Sequence, residues 1–253
     1  MIPPAIRRLD TGSAPYDLWS LAVEDLAALP DCLSPAEKIQ SQRFRHRRDH
    51  DRFLMRRLLV RHVLSLYAPL PPEAWEFTPN HFGRPELDPP VPSLAFNLTS
   101  SGNLALCAIT TAGEIGVDLE DTHDDTQAAL DLDLLVPGVL APSERRSFDS
   151  LPPASRPAAF FRYWVLKESY AKARGLGLSL NVSQVAFPVE VPGLDEAGLA
   201  LRATIPLALD PDPARWVFRT CRPTPCHIAA VAFRSRAFGR RRSLETFLLR
   251  ATK

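Results

Sequence analysis

Apolar residues at helical spacing run from Phe160 to Gly175 and form the most regular pattern in the chain. The run follows a proline cluster and ends at a glycine, which is typical of a helix C-terminus, so it predicts one long helix. Trp164, Glu168 and Lys172 then lie on one side of that helix, four residues apart. A carboxylate one turn from an ammonium group is either an exposed ion pair or a place to hold a metal ion next to a phosphate.

The N-terminal half begins with alternating apolar and polar residues and continues with a helical pattern. The alternation over Tyr16–Val23 predicts a strand. Ser34, followed by Pro35 and Glu37, is typical of a capped helix start, and the helical pattern continues to about Tyr67 as one helix or two. Four arginines share one face of this section: Arg45, Arg48, Arg52 and Arg56. The ladder is either a solvated face or a phosphate-binding surface, for which Arg52 and Arg56 are best placed.

Shorter apolar runs, separated by turn residues, predict the remaining strands. They lie at residues 75–77, 94–98, 104–110, 115–120, 185–191, 199–205, 216–221 and 228–233. Short helices and loops are expected over residues 121–157, and a basic tail at 234–242 precedes a terminal helix at 244–249. The pattern predicts an α+β fold of two similar subdomains, 1–112 and 113–253, related by pseudo-two-fold symmetry. Each is expected to be a small antiparallel sheet packed on a long helix, with a ligand cleft between the two.

Composition and charge exclude several classes of protein. The 253 residues are 45% hydrophobic, which indicates a globular chain, and 30 basic against 29 acidic residues give a net charge of +1, which argues against bulk nucleic-acid binding. No apolar run is long enough to cross a membrane, and the N-terminus lacks the apolar core of a signal peptide. The four cysteines have no CxxC spacing and no histidine at metal-ligand spacing. We expect a soluble cytoplasmic protein with reduced thiols and no membrane partner.

The segment Gly116–Glu120 is the second candidate for chemistry. In a strand, the side chains of Asp118 and Glu120 project from the same face while the residues between them point into the core. Two adjacent carboxylates repel each other unless a cation or a proton neutralises them. Mg²⁺ prefers oxygen ligands, so this pair, with Glu168 as a third ligand, would suit Mg²⁺ and a substrate phosphate.

Together the motifs resemble the 4′-phosphopantetheinyl transferase superfamily, in its single-chain, two-subdomain (surfactin-type) class. The central matches are residues 116–120 (GVDLE) and 164–169 (WVLKES), followed by Lys172 and Gly175. Further matches extend the resemblance to about residues 34–187: Ser34-Pro35, Arg43-Phe44, Phe82-Gly83-Arg84-Pro85, residues 96–102 (FNLTSSG) and residues 175–180 (GLGLSL). The matches follow one another in the order of the family.

The resemblance implies an enzyme, dependent on Mg²⁺ or Mn²⁺, that moves the 4′-phosphopantetheine arm of coenzyme A to a serine of an acyl or peptidyl carrier protein and releases adenosine 3′,5′-bisphosphate. It assigns the metal to Asp118, Glu120 and Glu168. Asp118, Glu168 and Lys172 are then the catalytic residues, with Lys172 balancing charge on the leaving phosphate. Either Glu168 or a metal-bound water takes the serine proton. Lys167 leaves the helix at a different angle and is expected to touch a phosphate or to close the cleft.

The resemblance also implies how coenzyme A is bound. Arg84, in the Phe-Gly-Arg-Pro turn, and Arg52, on the long N-terminal helix, match basic positions of the family and could bind phosphate. Asn97, Thr99 and Ser100 lie at the end of a strand, where hydroxyls and backbone amides can reach a phosphate.

Two departures from the family pattern bear on coenzyme A binding. The family has histidine where this chain has Ser100, and lysines on the first helix where it has Glu37 and Gln40. The contact to the 3′-phosphate is therefore weaker or falls to an arginine. Glu144, on a capped helix start between the two central motifs, resembles a further acidic position of the family. It is a fourth metal ligand, a partner of the ligands or a surface carboxylate.

The expected partners are coenzyme A and carrier domains of polyketide, nonribosomal-peptide or fatty-acid synthesis, and two halves in one chain predict a monomer. Two other functions stay open: a non-catalytic binder of coenzyme A or carrier protein, prompted by Ser100, and a Mg²⁺-dependent phosphohydrolase that uses water in place of the serine. The intact set of Asp118, Glu120, Glu168 and Lys172 favours the transferase over the binder, because a binder needs no metal site.

Overall fold

The computed structural model describes residues 2–123, 131–177, 180–188 and 200–236, which form two compact units. One unit contains the chain up to Glu114 together with Ser235 and Arg236, and the other is Ile115–Arg234. Each unit has a small sheet and a long helix, which confirms the α+β class. The subdomain limits of 1–112 and 113–253 stay a prediction.

The first unit is built on a four-stranded antiparallel sheet. Its strands are β1 (Arg7–Leu9), β2 (Asp17–Ala22), β5 (Ala95–Ser101) and β6 (Leu104–Thr110), in the spatial order β1-β2-β6-β5. A hairpin of β3 (Phe77–Pro79) and β4 (Pro85–Leu87) forms a separate two-stranded sheet. The central strand β6 is buried along its whole length, as expected for a strand with neighbours on both sides.

Two consecutive helices, α1 (Pro35–Ser41) and α2 (Arg47–Leu64), follow β2, which confirms the helical section predicted up to about Tyr67. The longer helix α2 packs on β6 of the sheet. Helix and strand share one core of buried side chains, among them Met55, Leu59, Val63, Cys107 and Ile109.

The start of α1 has the hydrogen bonds that its sequence predicts. Ser34 Oγ accepts from the backbone N–H of Glu37 (3.2 Å), and the backbone N–H of Ser34 donates to Glu37 Oε2 (2.9 Å). The same carboxylate receives the buried Arg61 guanidinium (Nη2 to Oε2, 2.7 Å), which also donates to the carbonyl of Trp75 (2.7 Å). The strand predicted at residues 75–77 begins only at Phe77.

The second unit has three helices and a three-stranded sheet in its described residues. Its elements are β7 (Gly113–Asp121), α3 (Leu132–Val139), α4 (Pro142–Asp149), α5 (Arg156–Arg174), β8 (Trp216–Thr224) and β9 (His227–Ser235). The strands lie in the order β7-β9-β8, and β8 pairs antiparallel with β9. Helix α5 and the β8–β9 hairpin share a core that includes Phe160, Leu166, Tyr170, Trp216 and Phe218.

Helix α5 confirms the long helix predicted from Phe160, although it begins earlier, at Arg156. It ends as expected at Gly175, whose φ of +65° is a left-handed conformation that glycine adopts without strain. The backbone N–H of Gly175 donates to the carbonyl of Ala171 (3.1 Å) and so closes the last turn.

Two of the predicted strands are not strands in the described residues. Around 185–191 and 199–205 the structure shows single bridges, Ala186 with Thr204 and Leu201 with Phe218. Residues 189–199 lie outside the described residues, as do the terminal helix predicted at 244–249 and most of the basic tail. Within the described ranges, no helix is both long enough and apolar enough to cross a membrane.

Asp210 is a buried carboxylate that joins α5 to the β8–β9 hairpin. Its Oδ2 accepts from Arg174 Nη1 (2.9 Å), Trp216 Nε1 (2.8 Å) and Arg234 Nη1 (2.9 Å). Burial alone raises the pKa of Asp210, but the hydrogen bonds from Trp216 and from the backbone N–H of Asp212, together with the two arginines, lower it below the ordinary value. The ionised carboxylate therefore stabilises the folded state.

Replacing Asp210 with asparagine is expected to destabilise the protein by about 3 kcal/mol at neutral pH, because two partly buried arginines lose their carboxylate. Since the folded-state pKa of Asp210 is lowered, its stabilisation is complete above the pKa of the unfolded chain and is lost as pH falls through the folded-state value. Thermal unfolding followed by circular dichroism should therefore show a difference between wild type and variant that shrinks in acid.

The matched control is Asp212→Asn, which removes an exposed carboxylate paired with Arg215 at 3.5 Å. We expect this variant to lower the free energy of unfolding by less than about 1 kcal/mol. Equal losses in the two variants would contradict the role of Asp210.

Candidate active site

Strand β7 presents Gly116, Asp118 and Glu120 on one face, while the residues between them are buried on the other. The Asp118 side chain is only 5% exposed and that of Glu120 is half-buried. A carboxylate buried to this degree needs a cation or hydrogen-bond donors beside it. Helix α5 supplies both.

The close approach of β7 to α5 depends on Gly116. A Cβ atom added at Gly116 would lie 2.1 Å from the carbonyl oxygen of Ser169 and 2.3 Å from the backbone nitrogen of Ala173. Both are helix backbone atoms and cannot rotate away, so only glycine allows this packing. The contact places Asp118, two residues further along the strand, beside the last turns of α5.

Two side chains of α5 contact the two carboxylates of β7. Lys172 Nζ lies 2.5 Å from Asp118 Oδ1, and Trp164 Nε1 donates to Glu120 Oε1 (2.8 Å). Trp164, Glu168 and Lys172 are all half-buried, whereas Val165, Leu166, Lys167 and Ser169 between them are buried. The spacing of four residues thus brings these three side chains to the side of the helix that meets β7.

Glu168 lies between these contacts and is electrostatically perturbed. Burial raises the pKa of the Glu168 carboxyl, the negative charge of Asp118 raises it further, and the ammonium group of Lys172 opposes the change. The carboxylates of Asp118 and Glu168 therefore repel each other. The ammonium group of Lys172 is the positive charge that opposes this repulsion. Such a carboxylate is suited to binding a cation or to accepting a proton.

The described residues contain no group of three or more His, Cys, Asp or Glu side chains that could hold a metal ion. Asp118, Glu120 and Glu168 therefore do not form a three-ligand group here, since Lys172 pairs with Asp118 and Trp164 holds Glu120. The chemistry of the donors nevertheless fits Mg²⁺ or Mn²⁺, which prefer carboxylate oxygens. The repulsion between Asp118 and Glu168 is of the kind that a divalent cation relieves.

The expectation that Lys167 touches a phosphate is wrong for this structure. Its side chain and that of Glu144 are both 0% exposed, and Lys167 Nζ lies 2.8 Å from Glu144 Oε2. The ammonium group also donates to the carbonyls of Val182 (3.1 Å) and Val185, so its three N–H groups are used. Burial lowers the pKa of Lys167, and the charge of Glu144 opposes that change.

Glu144 is correspondingly not a surface carboxylate. It accepts from the backbone N–H of Ala141 (2.7 Å) and from that of Phe187 (2.8 Å) besides Lys167. The buried pair thus ties the start of α4 to α5 and to the segment before residue 188. Lys167 directly precedes Glu168 in α5, so the buried pair restrains the rotation of the helix that carries Glu168.

The basic residues predicted to bind coenzyme A lie in the first unit. Arg84 is half-buried in the β3–β4 hairpin, where its Nη2 donates to the carbonyl of Phe96 (3.0 Å). Burial lowers the pKa of Arg84, and the charges of Glu86 and Glu114 oppose the change. Arg52 is half-buried on α2.

Asn97, Thr99 and Ser100 do not share a face of β5. Asn97 and Thr99 are 6% and 4% exposed and point to one side of the sheet, whereas Ser100 lies on the other side, with Phe96. Phe96 belongs to the core that α2 covers, so Ser100 lies on the helix-covered side of the sheet. Contact of these residues with a phosphate stays a prediction.

Two functional features of the site were not among the predicted site residues. Gly116 was recognised only as part of a motif, although its position two residues before Asp118 is consistent with a tight approach. Trp164 was placed on the same side of the helix as Glu168 but given no role in the chemistry, and it stacks on Phe160 with ring centroids 5.8 Å apart. Its indole N–H, which needs a partner when buried, is the signal that could have indicated the bond to Glu120.

Sequence comparisons relate this arrangement to known proteins. A family model described as the 4′-phosphopantetheinyl transferase superfamily matches residues 114–227, and one described as 4′-phosphopantetheinyl transferase, N-terminal, matches residues 17–112. The 4′-phosphopantetheinyl transferase HetI of Nostoc sp. is 33% identical over 220 residues, which are 86% of this chain and 84% of that protein.

Two further relatives are less similar in sequence. The 4′-phosphopantetheinyl transferase Sfp of Bacillus subtilis is 28% identical over 173 residues, which are 68% of this chain and 74% of that protein. The L-aminoadipate-semialdehyde dehydrogenase-phosphopantetheinyl transferase of Xenopus laevis is 28% identical over 238 residues, which are 90% of this chain and 78% of that protein.

Replacing Gly116 with alanine is expected to separate β7 from α5, because the added methyl group meets helix backbone. We expect the free energy of unfolding to fall by about 3 kcal/mol or more, which is at or above the upper end of the cost of overpacking a core. Chemical denaturation would measure this free energy. Gly138→Ala is the control, since a Cβ there meets nothing within 4 Å and helix α3 should gain up to about 1 kcal/mol. Similar stabilities of wild type and Gly116→Ala would contradict the steric argument.

Replacing Glu168 with glutamine is expected to stabilise the metal-free protein at neutral pH. Because the folded-state pKa of Glu168 is raised, its favourable contribution is complete below the pKa of the unfolded chain and is lost as pH rises through the folded-state value. Melting temperatures measured in a chelator should therefore favour the variant increasingly as pH rises from about 4 to 7. Glu73→Gln, at an exposed glutamate of the other unit, serves as the control. An advantage that shrinks over this range would show that the assigned sign is wrong.

Proposed function

Since the chain belongs to the 4′-phosphopantetheinyl transferase superfamily, we propose that Asp118, Glu168 and Lys172 carry out the transfer of 4′-phosphopantetheine from coenzyme A to a carrier protein. The chain is an enzyme of this class, with coenzyme A as donor substrate and a carrier protein as acceptor. The observation that supports these residue roles is the meeting of β7 and α5, where Lys172 Nζ lies 2.5 Å from Asp118 Oδ1.

The reaction joins a carrier serine to the phosphorus next to the pantetheine arm. The serine oxygen attacks that phosphorus, the pyrophosphate P–O bond breaks, and adenosine 3′,5′-bisphosphate leaves. Phosphoryl transfer of this kind requires alignment and charge neutralisation more than covalent help from the protein. A site with one ammonium group and several carboxylates suits it once a cation is present.

Mg²⁺ or Mn²⁺, when bound, supplies Lewis-acid polarisation of the pyrophosphate. Asp118, Glu120 and Glu168 would hold the ion, since they are the carboxylates gathered where β7 meets α5. Trp164 orients Glu120 through its indole N–H, so it is a positioning residue in this proposal.

Glu168 is also proposed to accept the serine proton. A general base works best when its pKa lies close to the working pH, and in the metal-free site burial together with the charge of Asp118 raises the pKa of Glu168 in that direction, whereas a bound cation would oppose the change. Lys172 is 30% exposed, so its ammonium group can pair with a phosphate as well as with Asp118. It balances charge on the departing bisphosphate.

Coenzyme A binding is proposed for Arg84 and Arg52, with Ser100 in place of the histidine of the family. Arg84 is held in its hairpin by Asn80, whose Oδ1 accepts from the backbone N–H of Arg84 (3.0 Å) and from that of Phe82 (2.9 Å). These bonds fix the backbone of the turn, and the guanidinium itself donates to the carbonyl of Phe96 (3.0 Å), so the side chain is partly preorganised for a phosphate. The match of both family models within one chain supports a monomeric enzyme.

The test is incubation with coenzyme A, Mg²⁺ and an apo carrier protein, followed by intact-mass analysis. We expect the carrier to gain one phosphopantetheine, with the rate reduced at least about 100-fold by Asp118→Asn and by Lys172→Met, because each removes charge at the reacting phosphate. Lys38→Met is the control, since this exposed lysine pairs with Asp31 on the surface.

The outcome distinguishes a transferase from the two alternative functions, a phosphohydrolase and a non-catalytic binder. Coenzyme A cleaved without modification of the carrier would indicate a phosphohydrolase, and no reaction at all would indicate a binder. Full activity in a chelator would contradict the requirement for a divalent metal ion. Full activity of Asp118→Asn would contradict the role assigned to Asp118.

A further inference from the structure

The turn between α1 and α2 presents a set of exposed arginines. Arg43, Arg45 and Arg48 are all exposed, and no hydrogen bond or ion pair of their guanidinium groups is found within the described residues. Arg47, between them, differs in that it pairs with Asp51 (3.4 Å). We call Arg43, Arg45 and Arg48, together with the Phe44 ring, the arginine surface.

The arginine surface is strongly basic in a nearly neutral protein. Residues 42–48 contain four arginines and no acidic residue, whereas the whole chain has 30 basic and 29 acidic residues. The rest of the chain therefore carries a net charge of −3. Positive charge concentrated in a short exposed stretch attracts a partner of opposite sign and directs its approach.

The turn is held in shape by its own contacts. The backbone N–H of Arg43 donates to the carbonyl of Gln40 (3.1 Å), and that of Phe44 donates to the carbonyl of Ser41 (3.4 Å). The Phe44 ring packs on Phe53 with centroids 5.3 Å apart and remains 36% exposed. The arginines are thus presented by an ordered backbone, which reduces the entropy that binding must remove.

The composition of the surface indicates a protein partner. Arginine and phenylalanine are enriched in protein interfaces, and the exposed Ile39 (55%) on the neighbouring helix adds apolar area. Guanidinium groups pair with carboxylates through two parallel hydrogen bonds, so the complementary surface is acidic.

We propose that the arginine surface docks an acidic face of the carrier protein. This inference rests on the proposed function, in which the carrier is the one macromolecular substrate. The phosphates of coenzyme A are small and are assigned to Arg52 and Arg84, which are half-buried, whereas the arginine surface is exposed. An exposed, spread-out set of charges is suited to a protein surface more than to a small ligand.

The test is charge reversal in the double variant Arg45→Glu/Arg48→Glu. Exposed interface charges act on association and on its salt dependence, so we expect the KM for an acidic apo acyl carrier protein to rise about tenfold or more, with kcat and the KM for coenzyme A unchanged. The control is Arg145→Glu/Arg146→Glu, which reverses two neighbouring exposed arginines in the other unit. Melting temperatures verify that both variants are folded.

A binding measurement separates docking from chemistry. Titration calorimetry with a carrier whose acceptor serine is replaced by alanine should show weaker binding to the Arg45→Glu/Arg48→Glu variant. Binding to the wild type should weaken between about 0.05 and 0.5 M salt, because screening shortens the range of surface charge.

Three outcomes would overturn the proposal, and a fourth would separate it from the proposed function. An unchanged KM and affinity for the carrier would show that the surface is only solvated, and a raised KM for coenzyme A would assign the arginines to its phosphates. Binding of a DNA duplex by wild type that is as tight as binding of the carrier, and is lost in the variant, would indicate a nucleic-acid surface. If wild type fails to modify any carrier but still binds the alanine carrier through these arginines, docking stands and the proposed function fails.

Discussion

The candidate active site depends on one contact in which no side chain takes part, the approach of Gly116 in β7 to the backbone of Ser169 and Ala173 in α5. Because strand and helix meet at the distance that a glycine permits, the carboxylate of Asp118 reaches the ammonium group of Lys172. Further along the same face, the indole of Trp164 reaches Glu120. The relative position of the charged groups is therefore set by main-chain packing, which is stiffer than any ion pair between flexible side chains.

Helix α5 is in turn held by buried charges on its other sides. Lys167 is enclosed with Glu144 and two carbonyls, and Arg174, at the C-terminal end, donates to Asp210. Breaking one member of such a cluster leaves an unpaired buried charge, so rotation of the helix is strongly disfavoured. The side of α5 that meets β7 thereby presents Glu168 and Lys172. One helix thus carries both structural charges, Lys167 and Arg174, and the charges proposed for catalysis, and their partners distinguish the two groups.

Features with local signals could be predicted from the sequence, and features that depend on distant partners could not. The cap at Ser34, the helix end at Gly175 and the strand at 104–110 each follow from neighbouring residues, and the structure confirms them. The role of Lys167 could not be predicted, because helical spacing places it near Glu168 but does not reveal that Glu144, 23 positions earlier, is buried against it. The alternation of β5 is also a local signal, since neighbouring residues of a strand point to opposite sides of the sheet and Ser100 is thereby separated from Asn97 and Thr99. Motifs thus identify the residues of a site, whereas the burial and the contacts of each side chain indicate its role.

The Lys172–Asp118 contact bears on how folding is coupled to ligand binding. The buried carboxylate of Asp118 has its counter-ion within the chain, so this contact can form without a bound cation, unlike the ligand shell of a structural metal site, which becomes compact only when the metal binds.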